Sequence, residues 1–171
     1  LDADGVEDAS GDATPDGAVD AEACTTFADP VIVGRVESEE LTELSGLAMS
    51  RRHADVFYGH NDSGDEARFF SFRRSGESLA VFRLEGIEAE DWEDMTIGPG
   101  PGPGEWLYFG DIGDNRRGRP EIILLRLPEP SDPRANQVID DFQRLRLRYP
   151  DGAHDAETLM IDPESGDIYL L

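Results

Sequence analysis

The sequence predicts an all-β fold built from repeated groups of short strands, and three observations predict it. Short apolar segments recur between Gly, Pro, Asp, Asn and Ser, and none holds a helical period over three turns. Three segments open alike, ELSGLAMS, DWEDMTIG and DAETLMID, and each is followed by a polar turn and an aromatic or aliphatic strand. The units start near Leu44, Trp92 and Ala156. A period of about 50 to 60 residues is one at which repeats mean propeller blades or related arrays. The expected architecture is therefore a partial β-propeller of about two to three four-stranded blades.

Each element follows in order. Residues 1–29 are Asp, Ala and Gly with almost no large apolar residue, and Arg35 is the first basic residue. Such a stretch cannot bury enough area to offset its chain entropy, so it is expected to be a disordered leader or tether. Residues 30–171 form the truncated propeller domain. PVIVGRVES is the expected outer strand of the blade that closes the ring. LSGLAMS, DVFYGH, ARFFSF and SLAVFRLEG make the first unit, and DMTIG, EWLYFGD, EIILLRLPE and FQRLRLRY the second. The second unit is lengthened by the loop GPGPGPG at 98–104 and the linker PEPSDPRANQ at 128–137. ETLMID and DIYLL begin a third. The chain starts without Met and ends in an apolar run, which reads as a fragment whose last strand has an unpaired edge.

Composition narrows the function. The formal net charge is -23 and every basic residue is Arg, so the basic surface that a nucleic-acid backbone requires is missing. No stretch has the length of a transmembrane helix. Cys24 is the only cysteine, so no internal disulfide can form. The sequence holds no GxSxG elbow, Walker loop, HExxH or Cys/His zinc spacing.

The candidate residues come from aligning the units. Ser45, Glu93 and Glu157 take one equivalent position, and alternation puts them on one face of the first strand of each blade, toward the channel. Two carboxylates at one channel mouth repel unless a cation or a shared proton offsets their charge. Calcium suits such oxygens; the alternative is that Glu93 and Glu157 accept backbone amides of neighbouring blades. The strand exits HNDSGD and GDIGDN also align, with Asn61 and Asp62 matching Asp111. Asn, Asp and Gly there make a turn, and two such loops beside channel Glu residues make a shared oxygen-rich mouth. The expected metal ligands are thus Asn61, Asp62, Glu93, Asp111 and Glu157, with Asp65, Asp114 and Asn115 capping the turns. Asp91 shares a strand face with Glu93 and forms a weaker acid/base signal. His60 and His154, each near an acid, are the candidate general bases; the alternative for both is a hydrogen-bonding or surface histidine.

The segments FADP, SGLAMSRRH, HNDSGD, DWEDMTIG, LYFGDIGDN and LRYPDGAHDAETLMIDPESGDIYLL resemble a family of exported bacterial β-propeller proteins that are mostly uncharacterised. The resemblance covers nearly everything from Phe27 to Leu171. It implies an extracytoplasmic location: periplasmic, secreted, or on the cell surface as a lipoprotein whose anchor lies upstream of Leu1. More distantly, the architecture is similar to the calcium-dependent six-bladed gluconolactonase and phytase-like hydrolases. That likeness implies a calcium-supported site at the channel mouth that hydrolyses an ester, lactone or phosphate. The competing expectation is a non-catalytic tethered scaffold that binds a small molecule, a glycan or a protein partner.

Overall fold

Alternating branched and aromatic residues between turn-forming residues are what short half-buried strands require, and strands are what these segments form. The computed structural model of the chain describes residues 26–171. The predicted leader over 1–29 falls almost wholly outside the described residues. Among the described residues there are eleven strands and no helix, and all eleven lie in one compact unit, Ile32–Leu171.

β1 (Leu44–Met49), β2 (Val56–Asn61), β3 (Arg68–Arg73) and β4 (Ser78–Leu84) form an antiparallel meander. β5 (Trp92–Pro99), β6 (Glu105–Asp111) and β7 (Ile122–Pro128) repeat it. β8 (Gln137–Ile139) then returns to the first sheet and pairs in parallel with β4, while β9 (Gln143–Leu147) completes the second sheet beside β7. β10 (Leu159–Ile161) and β11 (Ile168–Leu170) make a third, two-stranded sheet. The first strands of the sheets lie side by side, with β5 against both β1 and β10.

The sheets stack through alternate residues. One core joins Ala48, Tyr58, Phe69 and Phe82 of the first sheet to Met95, Ile97, Leu107, Phe109 and Leu125 of the second. Its centre is the parallel pair Phe69–Phe82, with ring centroids 4.6 Å apart. A second core joins Trp106, Tyr108, Ile122 and Leu124 of the second sheet to Leu159, Ile161, Ile168 and Leu170 of the third. The registers are equivalent: Ala48 pairs with Tyr58, Thr96 with Tyr108 and Met160 with Tyr169. Each tyrosine thus stands at the same place on the face of its own sheet.

Two strand expectations need correction. PVIVGRVES is not a strand. Its only described backbone bonds to the sheet region run from Arg35 N to the Ser75 carbonyl and from Glu37 N to the Gly76 carbonyl, at the β3–β4 turn. Those partners are two turn residues rather than a free strand edge, so no ladder can extend. Conversely, β8 begins at the last residue of the supposed linker. Asn136 Oδ1 accepts Val81 N at 2.8 Å and Ser71 Oγ donates to the Pro133 carbonyl at 2.5 Å, which lays the linker along the first sheet. The third sheet begins at Leu159, three residues after the expected Ala156.

Candidate metal centre

The end of the sheets where β1, β5 and β10 begin and β2 and β6 finish is built by one repeated device. In the first sheet Asn61 Oδ1 accepts the Glu43 N–H at 3.1 Å, and Asp62 N donates to the Glu43 carbonyl at 2.9 Å. In the second sheet Asp111 Oδ1 accepts the Asp91 N–H at 3.1 Å, and Ile112 N donates to the Asp91 carbonyl at 3.1 Å. In both, the last residue of the second strand ties down the residue that precedes the first strand. β1 and β5 also each carry an irregularity in register here, between Leu44 and Leu47 and between Trp92 and Asp94. A bulge of this kind re-aims the side chains beside it.

This device redirects two expected ligands. Both Asn61 donors are used: its Nδ2 donates to the Glu40 carbonyl at 2.8 Å and to Asp65 Oδ2 at 2.6 Å. Asp111 is buried, accepts the Glu90 N–H as well, and pairs with Arg119 Nη2 at 2.7 Å. Both serve as the frame that holds the strand ends. The reason is that a buried acceptor beside unpaired backbone N–H groups is drawn to them first. Asp65 and Asp114 do cap their turns, on Glu66 N at 2.8 Å and Arg119 N at 2.6 Å.

The frame gathers other carboxylates. Asp62, Asp91 and Glu93 each bring an oxygen within 4.8 Å of the others, a group that could hold a metal ion. Glu93 is buried, and Glu157 is among the acids close enough to act on its carboxyl. Burial first, then Glu157, Asp62 and Asp91, push the Glu93 carboxyl up from 4.5 to about 8. Burial also raises Asp91; the Arg119 charge opposes the shift, while Asp62, Asp111 and Asp155 add to it. Gly113, in the loop after β6, lies directly over the group: a Cβ there would stand 2.2 Å from Glu93 Oε1 and 2.5 Å from Asp91 Oδ2. Only a glycine leaves room for these oxygens. Asp62 also borders a hollow of about 300 Å³ walled by Glu40, Glu43 and Arg68.

Neighbouring sheets are linked at this end by residues beside the cluster. Ser45 Oγ donates to the Glu93 carbonyl at 2.6 Å, and Asp94 Oδ2 accepts the Leu159 N–H at 2.8 Å. The expectation that Glu93 binds the amide of a neighbouring strand is met instead by the next residue, Asp94.

No family model, curated protein or solved structure matches the chain.

The histidines stand apart in chemistry. His60 is fully buried, with its edge against Trp92 at 5.3 Å and Nδ1 bonded to the Asn61 carbonyl at 2.7 Å. Nε2 faces Gly46, where a Cβ would lie only 2.2 Å away, and finds no partner of ordinary geometry. Burial holds the ring below its usual pKa and therefore neutral. His154 is exposed; Nε2 meets Asp151 Oδ1 at 2.9 Å and the ring stands edge-on to Tyr149. Its bonded partner is thus an exposed carboxylate outside the Asp62–Asp91–Glu93 group.

Sequence reasoning gave too little weight to Asp91, Gly113 and Arg119. A signal for Asp91 was present: Glu43, Asp91 and Asp155 stand at one position of the repeat, two residues before Ser45, Glu93 and Glu157. No comparable signal marked Arg119, which reaches Asp111 from the loop before β7.

Proposed function

We propose that this chain is part of an exported β-propeller protein that holds calcium at the strand ends. The observation that carries the reading is the crowding of Asp62, Asp91, Glu93 and Glu157, which keeps a proton on buried Glu93 far above the usual carboxylate range. A divalent cation relieves that crowding by replacing the proton. Stacked sheets with side-by-side first strands and one tyrosine position repeated three times support the propeller.

Calcium fits the donor set. Its ligands are oxygens at about 2.3–2.6 Å, so two ligands of one ion stand at most about 5 Å apart. Asp62, Asp91 and Glu93 satisfy that limit at 4.8 Å, and Glu157 is the fourth carboxylate within reach of Glu93. Asn61, Asp111 and Arg119 hold the strand ends so that these oxygens converge. Bound calcium would polarise an ester, lactone or phosphate oxygen and lower the pKa of a water.

A second reading is favoured by the histidines. His60 is enclosed and neutral, and His154 is turned to Asp151 and Tyr149, so neither supplies a base to the carboxylates. On that reading the calcium-bound end is a non-catalytic scaffold for a small molecule, a glycan or a protein.

Calorimetric titration with calcium chloride tests the shared premise. Calcium is expected to bind the wild-type chain with release of a proton and to bind Glu93→Gln much more weakly. Equal binding by both overturns the site. Ester, lactone and phosphate substrates, assayed with calcium and with chelator, then separate the readings. Turnover that needs calcium supports hydrolysis, and calcium binding without turnover supports the scaffold.

A further inference from the structure

We infer that His60 is a positioning residue of the proposed calcium site: its ring pins the peptide that carries Asp62 and so keeps that carboxylate beside Asp91 and Glu93. This role rests on the calcium reading proposed above and adds to it a residue that touches no ion.

The second strands of the first two sheets end alike, so their exits correspond residue by residue. Strand register sets Leu44 against Asn61 and Trp92 against Asp111. His60 thus corresponds to Gly110, and Asp62 to Ile112. The backbone agrees: Asp62 N and Ile112 N make the same bond, to the carbonyls of Glu43 and Asp91. The following sheet presents an equivalent pair of acids at each exit, Asp91 and Glu93 at the first, Asp155 and Glu157 at the second. Only the first exit adds a third carboxylate, Asp62, to its pair.

The two exits fill the seams between sheets in opposite ways. His60 is fully buried against Trp92 and Phe109, with ring centroids 5.3 and 6.2 Å away. Asp62 stays half-buried, with its carboxylate among the acids. Gly110 has no side chain to place in its seam. Ile112 is fully buried there instead and lies over the glycine: a Cβ on Gly110 would stand 3.0 Å from Ile112 Cδ1. A void in a packed seam is costly, so the residue after the strand turns inward where glycine leaves room. Where His60 takes that room, the residue after the strand stays out with the acids.

His60 also makes a bond that Gly110 cannot. Its Nδ1 lies 2.7 Å from the Asn61 carbonyl. A carbonyl only accepts, so Nδ1 carries the ring proton and donates it there. That carbonyl and the Asp62 N–H belong to one peptide unit, and the N–H donates to the Glu43 carbonyl at 2.9 Å. The planar unit is thus held at both ends, which fixes the direction in which the Asp62 side chain leaves the backbone. Groups that orient a metal ligand in this way are worth about 10- to 100-fold in metal affinity.

Calorimetric titration with calcium chloride tests this role on three variants, each first shown to be folded by circular dichroism in chelator. His60→Phe fills the seam without the Nδ1 donor and should bind calcium about 10- to 100-fold more weakly than the wild type; His60→Leu serves if Phe disturbs the fold. His60→Asn restores a donor near the place of Nδ1 and should recover most of that loss, although it fills the seam less well. Gly46→Ala is the packing control. Its added Cβ presses on Nε2 from 2.2 Å and spares the Nδ1 bond, so it should lower stability and leave calcium affinity unchanged. A His60→Phe protein that binds calcium like the wild type overturns the role and leaves the calcium site standing. So does a His60→Asn protein that binds no better than His60→Phe, or a Gly46→Ala protein that loses as much affinity as His60→Phe. A wild type that binds no calcium overturns the calcium reading, and the role of His60 with it.

Discussion

Replacing Glu93 by Gln removes one negative charge from the cluster and keeps the side chain's shape. In the wild type the carboxyl is pushed up from 4.5 to about 8. At about 1.4 kcal/mol per pH unit this corresponds to at most about 5 kcal/mol opposing its ionised form. Solvent at the open strand ends screens part of it, and we take about 3 kcal/mol. The folded state binds the proton more tightly than the unfolded chain does. Its contribution to stability is therefore full below pH 4.5 and is lost as pH rises through about 8. In chelator, Glu93→Gln should match the wild type near pH 4.5 and exceed it above pH 8. About 3 kcal/mol in a chain of this size is roughly 6–12 °C in Tm. Saturating calcium reverses the order: at a thousand times Kd it stabilises the wild type by about 4.1 kcal/mol, and the variant gains far less. The assay is thermal unfolding by circular dichroism at several pH values, with chelator and with calcium. Taking the difference between wild type and variant cancels the titration of groups away from the cluster. A variant less stable than the wild type in chelator above pH 8, or one with an undiminished calcium response, would refute the reasoning.

Calcium affinity should rise as pH climbs toward 8, since calcium competes with the Glu93 proton; calorimetric titration in buffers of different ionisation enthalpy should show the released proton. Gly113→Ala places a Cβ 2.2 Å from Glu93 Oε1, so it should abolish the calcium response while lowering chelator-state stability by about 1–3 kcal/mol, read from denaturant unfolding. Arg119→Met leaves the buried Asp111 charge without its ion partner, and should destabilise by about 3 kcal/mol. Adding Asp111→Asn should recover much of that loss, because Asn61 holds the equivalent place in the first sheet without a charge. Gly46→Ala drives a methyl into His60 Nε2 and the Met95 backbone, and should cost about 1–3 kcal/mol by overpacking with no change in calcium affinity.

The strands were legible because their signal is local. A short apolar run between turn residues is contained in each segment, and ten of the eleven strands fall on segments read that way. β8 carries none: three residues, QVI, at the end of a Pro- and Asp-rich stretch have too little pattern to read, and the β4 edge decides them. PVIVGRVES failed in the opposite sense, with a strand pattern and no ladder to join. The repeat was legible too, and it put Glu93 and Glu157 at equivalent positions, with Glu157 one of the acids that raise the Glu93 carboxyl.

What the sequence by itself determined is the all-β class, the repeating unit and the acidic character of one end of the sheets, because each is a property of residue order and composition. What only the tertiary structure decided is which acids are left to meet one another. Asn61 and Asp111 have the chemistry of ligands, yet backbone N–H groups 18 and 20 residues away in the chain claim their oxygens. Asp91 was the weaker signal, yet it converges with Asp62 and Glu93 over Gly113. An oxygen's availability is set by the nearest unpaired donor in space, and that distance exists only after the sheets have stacked.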